Sequence, residues 1–150
     1  MKNILITGAS GFIGSFLVEE ALKRGYRTFA GIRSSSSKGY LNHPDLHLFE
    51  MDFSNKEKLQ NQLRKNAAIF GLFDVVVHSA GLTKTRVLDE YYQVNLYNTE
   101  RLVDALIELE MVPERFVFLS SLASYGPGQG KIPVAETNIQ APITAYGKSK

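Results

Sequence analysis

Residues 7–14 read Thr7-Gly8-Ala9-Ser10-Gly11-Phe12-Ile13-Gly14, directly after the apolar run Asn3-Ile4-Leu5-Ile6 and directly before a segment of helical period. Three glycines spaced three apart between a strand and a helix permit a tight turn, a close approach of backbone to a ligand, and close packing of the helix on its strand. A helix that begins on such a turn presents unpaired N–H groups and the positive end of its dipole, which suits a phosphate. The spacing departs from the G-x-G-x-x-G form, so a helix-entry turn that needs only small residues is the competing reading.

Outward from this turn, short apolar runs alternate with segments of helical period, the pattern of βαβ units around a parallel sheet. Strands are expected over 3–7, 27–33, 46–50, 73–78 and 115–120, with Val75, Val76 and Val77 suited to burial on both sheet faces. A helix is expected over about 12–24, with Ile13, Phe16, Leu17, Ala21 and Leu22 on one face and Gly25 as its stop. A second, polar helix over about 54–65 is opened by Ser54 and Glu57 at capping-box spacing. A third runs from about 88 to 110 with Val94, Leu102, Val103, Leu106 and Leu109 inward, and Pro113 lies beyond it. A loop containing Gly and Pro then extends to about 143, and a last helix begins near Thr144. Right-handed crossovers restrict five such strands to a doubly wound parallel α/β sheet in the order 3-2-1-4-5. No repeat or interdomain linker interrupts residues 1–150, so one domain is expected. Ligands of such sheets lie beyond the carboxyl ends of the strands, where Gly8 to Gly14, Ser34 to Ser37, Asp52, Ser79 to Thr83 and Ser121 fall.

Composition narrows the function class. The net charge of +2 is a small excess among 17 basic and 15 acidic residues, scattered along the chain, and gives no footprint for nucleic acid or an anionic membrane. Apolar runs reach about four to five residues, far below the roughly 20 that cross a bilayer. The absence of cysteine excludes disulfides and thiolate metal sites. His43 and His47 flank Pro44 in a loop, where helical ligand geometry is unavailable, so no metal is assigned. The first strand leaves no room for a signal peptide, and a cytoplasmic location is expected.

Two further stretches carry chemistry. Tyr146 and Lys150 in Tyr146-Gly147-Lys148-Ser149-Lys150 are four apart and share a helix face. A free phenol has a pKa of about 10, and a neighbouring cation favours its ionised form; an exposed helical pair is the plainer alternative. The end of the second strand reads Ala30-Gly31-Ile32-Arg33-Ser34, a guanidinium followed by hydroxyls with no acid, which suits a phosphate. A solvated loop cation, or a guanidinium stacked on a base, is the alternative there.

The octet Thr7 to Gly14 resembles a TGxxGxxG motif, His78-Ser79-Ala80-Gly81 an HxAG element, Ser120 and Ser121 the serines that end a fifth strand, and Tyr146 to Lys150 a YxxxK pair. In this order and over the whole chain, the sequence is similar to the extended branch of the short-chain dehydrogenase/reductase superfamily, the nucleotide-sugar epimerases, dehydratases and related reductases. The resemblance implies a Rossmann fold that holds NADP or NAD through Gly8, Ser10, Gly11, Phe12, Ile13 and Gly14 at the pyrophosphate and Ser79, Ala80 and Gly81 beside it. It places Asp52 and Phe53 at the adenine, with a turn before Ser54 as the rival role of Asp52. It makes Tyr146 the proton donor and acceptor, gives Lys150 hydrogen bonds to the nicotinamide ribose, and gives Ser121 the substrate oxygen, with Ser120 as the neighbour most easily confused with it.

NAD-preferring members carry an acid at the end of strand two; its absence, with Arg33 and Ser34 present, implies a preference for NADP. His78 is expected only to end a buried strand, and Asn95 to be structural. Dehydrating members carry a Thr and acids after strand five, which Ser120-Ser121-Leu122-Ala123 lacks, leaving epimerisation or net carbonyl reduction. The expected substrate is a small molecule, a nucleotide sugar or another carbonyl or hydroxyl compound, and a homo-oligomer is expected. The chain is expected to be truncated after strand five, without a substrate lobe, inactive by itself, and prone to self-association through that strand. A non-catalytic dinucleotide-binding sensor or interaction module and an NADP-dependent carbonyl reductase are the alternatives.

Overall fold

A computed structural model describes residues 1–128 and 130–150; Gln129, in the loop expected before residue 143, lies outside the described residues. The chain forms two compact units, Met1–Ala80 with Glu100–Leu119, and Gly81–Thr99 with Ser120–Lys150.

The first unit is built on β1 (Asn3–Thr7), β2 (Arg27–Ile32), β3 (Leu46–Glu50), β4 (Val75–His78) and β5 (Arg115–Phe118), all parallel, in the order β3-β2-β1-β4-β5. β1 is buried along its whole length, and its side chains alternate between two cores. Leu5 joins Phe29, Phe73, Val76 and the inner faces of α2 (Lys56–Phe70) and the helix Asn98–Glu108. Ile4 and Ile6 join Ala30, Ile32, Leu41 and α1 (Phe12–Lys23) on the opposite face. Val76 is fully buried, whereas Val75 and Val77 are half-buried.

The strands are shorter than expected at 33, 73–74 and 119–120. The pairings of β1, β4 and β5 end on one row, Phe49–Gly31–Thr7–His78–Phe118; β2 and β3 pair one residue further, at Ile32 and Glu50, and Leu119 N–H to the His78 carbonyl adds a single bond beyond the row.

Two helices differ from expectation for identifiable reasons. The buried stripe of α1 is Gly14, Val18 and Ala21, with Leu17 and Leu22 packed beside it; Ile13 and Phe16 face outward. Gly14 brings the helix so close to the preceding turn that its own stripe must face the sheet, and this rotates Phe16 out, where its ring meets Phe12 at 5.3 Å. In α2 the cap is Asn55, whose side chain accepts from the Lys58 amide at 2.8 Å. Ser54 instead turns both its amide and its hydroxyl to Asp52 Oδ1, and α2 continues to Phe70, where Gly71 with φ +84° stops it.

The expected long helix, whose C-terminal part belongs to the first unit, is interrupted within the second. α3 (Leu88–Tyr91) opens into a π-helical turn (Tyr92–Tyr97), and regular helix resumes as α4 (Asn98–Glu108). Within this turn the Asn95 carbonyl accepts from the Thr99 hydroxyl at 2.6 Å. Within the loop after β5 a 3-10 turn (Leu122–Tyr125) forms, and α5 (Ala145–Ser149) starts on Thr144, whose hydroxyl accepts from the Gly147 amide at 2.9 Å. α5 lies against the 3-10 turn so closely that a Cβ on Gly147 would stand 2.3 Å from the Ala123 carbonyl oxygen.

Two outcomes follow for stability. Asn55→Ala should lower the free energy of unfolding in urea by about 1 kcal/mol, and Ser54→Ala by less, the reverse of the order a Ser54 capping box requires. Gly147→Ala should cost about 1–3 kcal/mol through overpacking, whereas Gly39→Ala, whose Cβ would meet only Ser37 Oγ at 3.7 Å, should be neutral in the same titration.

Candidate functional site

In the first unit, the candidate residues gather at the carboxyl ends of the strands. Gly8 sits at φ +66°, and a Cβ there would stand 2.7 Å from the Ala80 nitrogen and Cα. A Cβ on Gly14 would stand 2.1 Å from the Gly8 carbonyl oxygen, so the turn closes only without side chains at both positions. The Gly11 amide bonds the Gly8 carbonyl at 3.0 Å, and Gly11 caps α1 with no side chain to accept from its first turn. Gly11, Phe12 and Ile13 are exposed, so the free N–H groups and dipole end of a 12-residue helix open outward, with Ser10 half-buried beside them. Phe12 and Ile13 offer their backbone here; the exposed Phe12 side chain lines a groove of about 700 Å³ with Phe16, Leu22, Tyr40 and Leu46.

Thr7 ties this turn to the end of β4, a link the sequence reading missed because a threonine before the glycines reads only as a strand end. Its hydroxyl lies 2.8 Å from His78 Nδ1 and 3.2 Å from the Ala80 amide, and its carbonyl accepts from the Ser79 hydroxyl at 2.6 Å. The Ala80 amide donates to the Thr7 hydroxyl, whose remaining capacity pairs it with His78 Nδ1. His78 is fully buried among Phe53, Phe116 and Phe118 and ends the strand as expected.

Arg33 and Ser34 are exposed just past β2, in a turn clipped by the Arg33 amide to Ser36 Oγ and the Ser36 amide to the Arg33 carbonyl, both 3.0 Å. Asp52 accepts from Ser54 and, at 2.8 Å, from Lys58 Nζ, and these bonds bring its carboxyl down to about 2. Its carboxylate therefore serves the turn into α2, and Phe53 follows it half-buried.

In the second unit, Ser121, Tyr146 and Lys150 are carried by two abutting elements. Ser121 Oγ accepts from the Ala123 amide at 3.2 Å as the cap of the 3-10 turn, which leaves its O–H to donate elsewhere. Ser120, the alternative, bonds the Lys150 carbonyl at 2.9 Å. Ser124, buried, returns its hydroxyl to the Ser121 carbonyl at 2.7 Å. Asn95 is buried and knits the unit together. It accepts from the Leu82 amide at 2.6 Å and donates to the Leu82 carbonyl and to Ser149 Oγ, each at 3.0 Å. A Cβ on Gly81 would lie 3.2 Å from Asn95 Oδ1 and 3.3 Å from Lys150 Nζ, so this glycine admits the lysine head group. Lys150 is half-buried, and burial moves its pKa below that of a free lysine; its positive charge is intact below that lowered pKa and is lost as pH rises through it.

Among the described residues no cluster of three or more His, Asp or Glu is placed to hold a metal ion, and no helix is long and apolar enough to cross a membrane.

Residues 4–150 match the model of the NAD dependent epimerase/dehydratase family. A UDP-glucose 4-epimerase of Streptococcus mutans is 26% identical over 148 residues, which are 98% of this chain and 44% of that protein. The UDP-Glc/GlcNAc 4-epimerase structure from Campylobacter jejuni superimposes with a TM-score of 0.86 at 28% identity, covering all of this chain and 46% of that one. The UDP-glucose 4-epimerase of Brucella ovis in complex with NAD gives 0.82 at 25% identity, over 99% of this chain and 44% of that one. The chain thus spans about half the length of the curated relatives it matches. With its parallel 3-2-1-4-5 sheet and glycine turn, this chain belongs to the NAD dependent epimerase/dehydratase family.

Proposed function

We propose that this chain supplies the dinucleotide-holding and proton-transferring residues of an NAD(P)-dependent epimerase that acts on a nucleotide sugar. The observation that carries the reading is the seating of Gly147 on the Ala123 carbonyl, which holds the helix of Tyr146 and Lys150 against the turn capped by Ser121. The residues present fit the cofactor: a glycine cradle that any Cβ at positions 8 or 14 would fill opens an uncapped helix end outward. Gly8, Ser10, Gly11, Phe12, Ile13 and Gly14 would hold the pyrophosphate, largely through backbone N–H groups, with Ser79, Ala80 and Gly81 beside it. Asp52 and Phe53 would meet the adenine through main-chain groups, because the Asp52 carboxylate serves its own turn.

A bound nicotinamide would supply the hydride acceptor and donor for the sugar carbon. Tyr146 Oη removes the proton from the sugar hydroxyl as it is oxidised and gives it back on reduction. Ser121, its lone pair occupied by the Ala123 amide, donates to the same oxygen. Lys150, half-buried with its pKa lowered by burial, would bond the nicotinamide ribose. Ser120-Ser121-Leu122-Ala123 carries no acid to drive dehydration, which supports epimerisation. The relatives matched here include UDP-glucose 4-epimerases, which supports a UDP-hexose as substrate.

For the cofactor, the exposed Arg33 and Ser34 and the lack of an acid at the end of β2 support NADP, whereas the Brucella ovis relative carries NAD. Calorimetric titration should give tighter binding of NADP than of NAD, and Arg33→Ala should weaken NADP by the equivalent of about 1.5–3 kcal/mol while leaving NAD nearly unchanged. Equal affinities, or tighter NAD, would sink that choice.

Tyr146→Phe removes only the transferable proton. Measured in a protein that carries these residues within the full length of its relatives, turnover of UDP-glucose in that variant should fall about a hundredfold or more with cofactor binding retained, and near-normal turnover would assign the proton to another residue. Cofactor binding without turnover in the parent protein would favour the sensor reading.

A further inference from the structure

We propose that Tyr91 is the positioning residue for the Tyr146 ring; the inference rests on the reading of Tyr146 as the acid/base. Tyr91 is the last residue of α3, immediately before the π-helical turn, and its ring centroid lies 5.6 Å from that of Tyr146 with the planes tilted by 60°. That separation and tilt lie within the favourable range of aromatic pairs. The Tyr91 hydroxyl reaches the Thr83 carbonyl at 3.5 Å, a weak tether to the loop that follows Gly81.

The backbone of α5 is already fixed from two sides. Asn95 Nδ2 bonds Ser149 Oγ, and Ser149 Oγ bonds the Tyr146 carbonyl at 2.8 Å. Those bonds place the Tyr146 Cα but leave rotation about χ1 and χ2, so the position of its oxygen needs a contact at the ring itself. Tyr91 supplies one. Proton transfer requires the phenol oxygen within hydrogen-bond reach of the substrate, and small misplacements of a reacting group are costly. Both Tyr91 and Asn95 project from the same short stretch, so the π-helical turn serves two ends. It sends Asn95 inward to the Ser149 hydroxyl of α5 while Tyr91, one helical turn earlier, meets the ring. The ring of Tyr91 therefore does the positioning, and its hydroxyl contributes the minor tether.

The test separates ring from hydroxyl. The protein is labelled with 3-fluorotyrosine, and the signal of Tyr146 among its seven tyrosines is identified by its loss in Tyr146→Phe. In Tyr91→Leu and Tyr91→Met the Tyr146 fluorine signal should narrow and move toward that of free 3-fluorotyrosine, and kcat on UDP-glucose should fall about tenfold with KM within about twofold. Tyr91→Phe, which keeps the ring, should restore both the signal and kcat. An unmoved Tyr146 signal in the Leu and Met variants, or a moved signal with kcat retained, overturns the proposal, as does a Tyr91→Phe variant no better than Tyr91→Leu. Absence of UDP-hexose turnover in the parent protein would count against the acid/base reading instead, and the fluorine signals alone would then decide the ring contact.

Discussion

The first unit depends on one steric constraint, the approach of the start of α1 to the carbonyl of Gly8. A side chain at position 14 would stand 2.1 Å from that oxygen, well inside any possible contact. The turn therefore exists only with hydrogen at Cα, and what it gains is geometry: Gly14, Val18 and Ala21 lie directly on the sheet, and the first helical turn is left uncapped and open. The same approach accounts for the outward Phe12 and Phe16, an exposed aromatic pair that a helix packed at ordinary distance could have buried.

The second unit uses the same device for another end. Gly147 rests on the Ala123 carbonyl, and Gly126, at φ +79°, passes so near Ala141 that a Cβ would stand 2.1 Å from its oxygen. Around these close passages the polar side chains are consumed in pairs: Thr144 caps α5, Ser121 caps the 3-10 turn, and Asn95 satisfies both backbone groups of Leu82. Tyr146 and Lys150 are thereby mounted on a helix of only five residues, one whose hold on its position comes from neighbours rather than from its own length.

Much of this was legible in the sequence, and the divisions are physical. The sheet order followed from strand-helix alternation and crossover handedness, which depend on many residues at once. Single-residue choices read less well. Ser54 and Asn55 are both good caps, and spacing to Glu57 favoured the wrong one because nothing in the sequence says that Asp52 captures Ser54. The face of α1 was misjudged because hydrophobicity placed Phe16 inside, whereas clearance placed Gly14 inside. The π-helical turn has no periodic signature, and the residue it buries is the polar Asn95 rather than the apolar Val94 or Leu96 beside it. Among site residues, Arg33 and Ser34 stand exposed after β2, and Asp52 serves its turn. The Thr7 link to His78 and Ala80 depends on which strands are neighbours, which residue types alone do not state.

The shared row Phe49–Gly31–Thr7–His78–Phe118 limits where the chain can change length. Side chains alternate faces along each strand, so one inserted residue before Thr7 would turn its hydroxyl to the other face and strand the His78 nitrogen and the Ala80 amide. An insertion in the exposed stretch between β2 and β3 would disturb none of these levels. A change of length in that connection therefore leaves the turn where it is. The strand lengths, which set the level of the turn, admit no such change.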